Sequence, residues 1–292
     1  MDLDLKDVHV LVTGANGGIG LETTRLFLKH GARVTANYRS SNAALTQLIS
    51  ETDHEHLRMV QADLSHEAQV RALFSHSGDT GWGEVEIAVI NHAVSLRTHV
   101  PLKDMPIEQW ERTFSNNLTS SFLVAREYLR GLERGVRAAV PEASLGSKPE
   151  TSGARAFGER AALVFVGSTA GKYGEAMHAD YAASKSAMMY GLTLSLKNEI
   201  VQVAPRARVN CVAPGWVRTP MTSEVLQDPQ AIYRSLATVP LKKVAEASDV
   251  ANQIVLLAST KVSGHVTGQV LMVEGGMEGR LLYMPADFGL DA

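Results

Sequence analysis

The 292-residue chain contains a single cysteine, Cys211, which excludes an internal disulfide. Its place in the apolar run Val209-Asn210-Cys211-Val212 gives it the character of a small buried hydrophobe rather than a reactive thiol. No stretch is apolar for the length needed to cross a bilayer, and the opening residues Met1-Asp2-Leu3-Asp4-Leu5-Lys6 carry acid where a signal sequence has an apolar core. A cytoplasmic protein with no membrane partner is therefore expected. Charge of one sign is also lacking: 28 Lys and Arg stand against 31 Asp and Glu, and the basic residues are dispersed, so no nucleic-acid partner is expected. The ten histidines offer no set of metal-ligand spacing, His54 and His56 forming an isolated pair, and no metal is expected.

Apolar runs at 8–13, 32–37, 56–62, 85–90, 161–166, 207–212 and 269–273 alternate with stretches of helical period. That order predicts an α/β fold, a parallel sheet with helices on both faces, built as one domain over residues 1–292. Between a helix ending near Arg134 and the run opening at Ala161, residues 135–159 carry Pro141, Pro149, four glycines and three serines with little periodicity. They read as an inserted surface loop, or alternatively as a lid or partner-binding segment. Residues 277–292 read as a C-terminal tail.

Three groups of residues carry chemistry. Val8 to Thr13 reads as a strand, Gly14-Ala15-Asn16-Gly17-Gly18-Ile19-Gly20 as a glycine-rich turn, and the sequence from Leu21 to Gly31 as a helix. Such a turn lets a dinucleotide's pyrophosphate approach amides at the helix N-terminus, where unpaired N–H groups favour an anion. Tyr181 and Lys185, four apart in Asp-Tyr-Ala-Ala-Ser-Lys, share one helix face, and an ammonium beside a phenol is expected to lower its pKa into catalytic range. Ser168 follows the strand-like run 161–166, where α/β sheets place chemistry. Asn117 puts an amide into an otherwise helical pattern with no packing reason to be there. Read singly, Ser168 serves equally as a turn hydroxyl and Asn117 as a kink residue.

Together these residues closely resemble the short-chain dehydrogenase/reductase family, from about Lys6 to Gly276, with most likeness to its 3-oxoacyl-carrier-protein reductase branch. The resemblance implies a Rossmann-type doubly wound sheet and an NADP(H)-dependent interconversion of a ketone and an alcohol. It makes Asn117, Ser168, Tyr181 and Lys185 the catalytic residues. Tyr181 would be acid and base, Lys185 would bond the nicotinamide ribose, Ser168 would orient the substrate oxygen, and Asn117 would hold a water leading from Lys185 to solvent. The implied cofactor contacts are Gly14, Asn16, Gly18, Ile19 and Gly20 of the turn; Tyr38, Arg39 and Ser40 after the second strand; Asp63 and Leu64 at the adenine; Asn91 and Ala93; Tyr181 and Lys185; and Pro214, Gly215, Val217 and Thr219 beside the nicotinamide. One departure stands out: Asn91-His92-Ala93-Val94 has Val94 where the family usually has glycine, so the backbone there is expected to take another path or lie near the limit of the allowed region.

An NAD-preferring relative would place Asp or Glu where this chain has Tyr38. The Arg39 that follows can stack on adenine and bond a 2′-phosphate, which favours NADP(H). Residues Met221 to Val239 are expected to close over a ketone of moderate size. The small residues along the Tyr181 helix suit close helix packing, and resemblance implies a homodimer or homotetramer. Two rivals remain: a protein that senses the cofactor without turnover, and an enzyme that dehydrates or epimerises through a transient ketone.

Overall fold

The computed structural model describes residues 1–51, 54–78, 81–95, 99–139 and 156–280. Among them nine strands form: β1 (His9–Val12), β2 (Arg33–Tyr38), β3 (Leu57–Gln61), β4 (Ile87–Ile90), β5 (Ala162–Val166), β6 (Arg208–Pro214), β7 (Val217–Arg218), β8 (Ala245–Glu246) and β9 (Val270–Val273). The seven apolar runs supply seven of these, and those seven make one parallel sheet in the order β3-β2-β1-β4-β5-β6-β9. The short β7 and β8 pair only with each other. Strands covered on both faces read as continuous apolar runs, which is why the pattern marks them so clearly.

The helices are α1 (Gly18–Lys29), α2 (Ala43–Glu51), α3 (Glu67–Gly78), α4 (Ile107–Phe114), α5 (Ser120–Ala139), α6 (Thr169–Tyr173), α7 (Ala179–Ser186), α8 (Thr193–Val203), α9 (Pro229–Leu236), α10 (Ala247–Ala258) and α11 (Thr260–Ser263). Side chains alternate across each strand, so β1 sends Val10 and Val12 to one core and Leu11 to the other. The first core is closed by Phe27 of α1, Leu45 and Leu48 of α2, and Val250 and Ile254 of α10. The second is closed by Val70 and Leu73 of α3, Tyr128 and Leu132 of α5, and Ile200 of α8. Strand order reverses at β1, which pairs β2 on one side and β4 on the other. The loops leaving those strands diverge to opposite faces and open a crevice beyond their C-terminal ends.

The expected boundary of the insertion needs correction. Helix α5 continues past Arg134 to Ala139, tied by an Arg137–Glu133 pair at 2.6 Å one turn apart. Gly131 and Gly135 mask this continuation in the sequence, and Gly135 is required by packing: a Cβ there would come within 2.2 Å of the Phe157 ring. On the returning side, the amide of Gly158 donates to the buried carboxylate of Glu86 at 2.9 Å. Both ends of the segment are therefore structured and leave from the edge where strands begin. Residues 140–155 of the expected loop and 281–292 of the expected tail lie outside the described residues. Within the tail, Met277 is buried, with its carbonyl accepting from the Tyr173 hydroxyl at 2.6 Å.

Replacing residues 140–155 by a short Gly/Ser bridge keeps this stem, and the melting temperature should move by less than about 3 °C. A larger fall in calorimetry would show that the segment contributes to the core.

Candidate active site

The crevice at the ends of β1 and β4 widens into a cleft of about 350 Å³ that runs from the glycine turn to Tyr181. Gly14 enters it at φ +60°, a conformation open to glycine, with Asn91 holding the turn through donations to the carbonyls of Thr13 at 3.0 Å and Gly14 at 3.1 Å. A Cβ on Gly18 would lie 2.7 Å from the Thr219 methyl, so this glycine lets the two cleft walls meet. Helix α1 starts here with Gly17 as its cap, no capping side chain and no acid in its first turn. Its first amides and the positive end of its dipole are left for an anion.

At the far end, Arg39, Ser40, Asp63 and Leu64 line the cleft. Arg39 donates to the Asn116 side chain at 3.1 Å, and Asp63 accepts from the Ser65 hydroxyl at 2.7 Å. Tyr38 is a correction: it packs against the apolar core under α2 and does not line the cleft. The preceding Asn37 does line it. This buried amide donates to the Ala62 carbonyl at 3.1 Å and accepts from the Gly14 amide at 3.4 Å, joining turn to adenine end. A buried Asn inside the apolar run 32–37 was the available signal.

The near end collects Ser168, Tyr181 and Lys185, with Asn91, Ala93, Pro214, Gly215, Val217 and Thr219 around them. Ser168 caps α6, accepting from Ala170 N at 3.1 Å, and hydrogen-bonds the Tyr181 hydroxyl. Lys185 is buried, and its Nζ donates to the Val166 carbonyl at the end of β5 at 2.7 Å. Burial lowers its pKa to about 8. The expected depression of the Tyr181 phenol is not found. Burial pushes it up to about 12 against the opposing Ser168 hydrogen bond, while Lys185, Nζ 5.8 Å from the ring centroid, is directed to Val166.

Asn117 lies below the cleft on a π-helical turn, Ser115–Thr119, between α4 and α5. Such a widened turn frees side chains and carbonyls for other partners. Asn117 accepts from the Val94 amide at 2.8 Å and donates to the Val94 carbonyl at 2.9 Å and to Ser184 at 3.3 Å. Both of its N–H donors and its side-chain oxygen are thus engaged in bracing that loop. The brace also accounts for Val94, which is absent from the non-glycine residues of positive φ: the loop keeps ordinary β-branched geometry and is pinned by Asn117. A second π-helical turn, Ala187–Leu192, follows Lys185.

Beside Ala93, His92 bridges the Thr13 hydroxyl through Nδ1 and the Ser120 hydroxyl through Nε2, each at 2.8 Å. Burial, with the Lys185 charge adding to it, lowers its pKa to about 3. Asn116 and Pro220 also line the cleft without having been singled out in the sequence, and Met221 and Thr222 bring to it the start of the segment 221–239. Among the described residues no group of three metal-ligating side chains occurs, and no helix is long and apolar enough to cross a membrane.

Residues 14–278 match the family model described as enoyl-(acyl carrier protein) reductase. The chain is 32% identical over 291 residues to 3beta-hydroxysteroid dehydrogenase 1 of Eggerthella lenta, covering 98% of each protein. It is 30% identical over 268 residues to the 3-oxoacyl-[acyl-carrier-protein] reductase MabA of Mycobacterium bovis, covering 92% of each. A crystal structure from Brucella melitensis, described as a short-chain dehydrogenase/reductase of the glucose/ribitol dehydrogenase type, superposes with a TM-score of 0.77 at 27% identity, over 97% of this chain and all of the other.

Two histidines held neutral by the fold, His92 at about 3 and His9 at about 4, titrate near 6.5 when unfolded. The unfolded chain therefore binds more protons between those values, and their contribution to stability, complete above about pH 6.5, is lost as pH falls towards 4 and then 3. Denaturant midpoints should decline with acidification across this window, and the decline should be shallower in His92→Asn. An unchanged slope in that variant would show that His92 does not stay neutral in the fold.

Proposed function

The chain belongs to the short-chain dehydrogenase/reductase family, oxidoreductases of alcohol, carbonyl and ketoacyl groups, and from that premise we propose an NADP(H)-dependent enzyme with Tyr181 as proton donor and acceptor. The observation that carries the reading is the continuity of one cleft from the uncapped N-terminus of α1 to the Ser168–Tyr181 pair above a buried Lys185. The residues fit a nicotinamide dinucleotide. The first turn of α1 is free for the pyrophosphate, and Gly14, Gly17, Gly18 and Gly20 let the backbone come close to it, with Asn16 and Ile19 in the cleft wall. Arg39 and Ser40, with no carboxylate at the end of β2, favour a 2′-phosphate. When bound, the reduced nicotinamide supplies a hydride.

At neutral pH a phenol titrating near 12 is protonated, so Tyr181 is ready to give its proton to a carbonyl oxygen gaining negative charge. Ser168 donates a second hydrogen bond to that oxygen and accompanies Tyr181 through the change of charge. Lys185 provides the cation that steadies the phenolate left behind and the donor for a ribose hydroxyl. A buried ammonium with one hydrogen bond among the described residues is costly in a merely structural role. This speaks against a sensing protein without turnover.

The substrate side faces α9 and the segment before it, where Met221, Val225 and Tyr233 expose apolar surface. The relatives' names point to secondary alcohols or ketones on a steroid or on an acyl thioester, and we read the substrate as a small-molecule ketone or alcohol of that kind. Exposed Phe122 on α5 and Tyr190 and Leu194 beyond Lys185 suit contact with a second copy, hence a homodimer or homotetramer in the cytoplasm.

NADPH absorbance with a panel of 3-ketosteroids, 3-oxoacyl thioesters and simple ketones should reveal turnover, and Tyr181→Phe should lower kcat by about two orders of magnitude or more with NADPH affinity nearly intact. A variant that keeps most of its kcat removes Tyr181 from the chemistry. Arg39→Asp should weaken NADPH by about tenfold or more and leave NADH nearly unchanged, as read by fluorescence titration. Equal weakening of both cofactors would mean that Arg39 contacts only the adenine.

A further inference from the structure

The residues just inside the undescribed C-terminus do not hang free. Arg280 lies along α6 and reaches both of its ends. Its Nη1 donates to the Thr169 hydroxyl at 2.9 Å, its Nη2 pairs with Glu175, and its guanidinium sits 6.0 Å from the centre of the Trp216 ring. The side chains of the ion pair are only 15% and 23% exposed. Two residues of known place are bridged by this fork. Thr169 opens α6 directly after Ser168, and Glu175 follows Gly174, the residue that ends α6. Tyr173, at the end of the same helix, holds the Met277 carbonyl, so the segment 277–280 grips α6 at both ends. Helix α6 is pressed against the Tyr181 helix at Gly171, where a Cβ would come within 2.9 Å of the Lys185 carbonyl carbon.

We propose that Arg280 is a positioning residue for the reaction, setting Ser168 against Tyr181 by tying Thr169 at the start of α6 to Glu175 just past its end. The proposal rests on the reading of Tyr181 as the proton donor and adds to it a part played from the far end of the chain. The reasoning is geometric first: a short five-residue helix has little stability of its own, so its angle to α7 is set by what holds its two ends. Electrostatics then give the tie a signature. The charges that face Tyr181 are Lys185 on its own helix, bonded to Val166, and the pair Glu175 and Arg280. Asp180 is turned away towards Thr113 and Gln109 of α4, His178 packs edge-on against His99, and Lys172 interacts with Glu274 and Tyr173 on the outer side of α6. Glu175 pushes the phenol up and Arg280 pushes it down, so removing one partner leaves the other uncompensated.

The test is the titration of Tyr181 followed by NMR in protein labelled with ¹³Cζ-tyrosine, assigned by the signal missing from Tyr181→Phe. Arg280→Met should move the Tyr181 titration to higher pH by about half a unit or more, and Glu175→Gln should move it to lower pH by a similar amount. Arg280→Lys, which keeps the charge and loses the fork, should titrate near wild type. With the ketone found active in the panel, both Arg280 variants should lose about tenfold or more in kcat while NADPH affinity holds. If Arg280→Met does not fold, Glu175→Gln and Arg280→Lys still decide the matter. A Tyr181 titration unmoved by Glu175→Gln or Arg280→Met, or full kcat in Arg280→Lys, would overturn the proposal and leave Arg280 a structural tie. The titration needs no substrate, so its outcome is separable from a failure of Tyr181→Phe to lose activity.

Discussion

A single buried ammonium organises the site. Lys185 stands at the C-terminal end of β5 with Val166 as its hydrogen-bond acceptor, and its charge is tolerated only because the groups around it accept or stay neutral. Cys211 beneath it remains a thiol, pushed up by burial to about 12, and His92 across the cleft is held neutral. The helix carrying Lys185 must come close to β5 for this contact to form. Gly167 and Gly171 allow it, since a Cβ on either would run into Met189. With Val166 taking one of its three N–H donors, Lys185 lines the cleft together with Tyr181 and Ser168.

The remaining side chains of the site hold loops to one another. Asn117 pins Val94, His92 joins the end of β1 to the start of α5, Asn37 joins the glycine turn to the adenine end, and Arg280 joins the C-terminal segment to α6. Each is a buried or half-buried polar group whose hydrogen bonds reach elements distant in sequence. Networks of this kind fix a geometry more than they add stability. Two π-helical turns, one containing Asn117 and one following Lys185, mark where regular helix gives way to this bonding.

The sheet was legible in the sequence because parallel strands buried on both faces leave uninterrupted apolar runs, and all seven fall where those runs lie. The glycine turn and the Tyr181–Lys185 spacing were legible because each is local: a turn before a helix, two residues on one helical face. Contacts across the sheet were not. Nothing in the neighbourhood of His92 or Arg280 announces its partner, since Thr13, Ser120 and Thr169 are remote in the chain. Tyr38 was misplaced because a strand's last residue can face core or cleft, and local pattern does not choose between them. The extension of α5 was hidden by Gly135, a poor helix former kept there by the ring of Phe157. The phenol's pKa followed burial rather than the nearby cation, a balance that spacing alone does not contain.

The central claim is that one dinucleotide lies along this cleft with its reacting end at Tyr181 and Lys185. A crystal structure of the chain grown with NADPH tests it most directly. The account predicts the pyrophosphate against the first turn of α1, the 2′-phosphate at Arg39 and Ser40, and the nicotinamide ribose within hydrogen-bonding distance of Lys185 Nζ. A cofactor with its nicotinamide end away from Tyr181, or density for the dinucleotide anywhere else on the molecule, would contradict it.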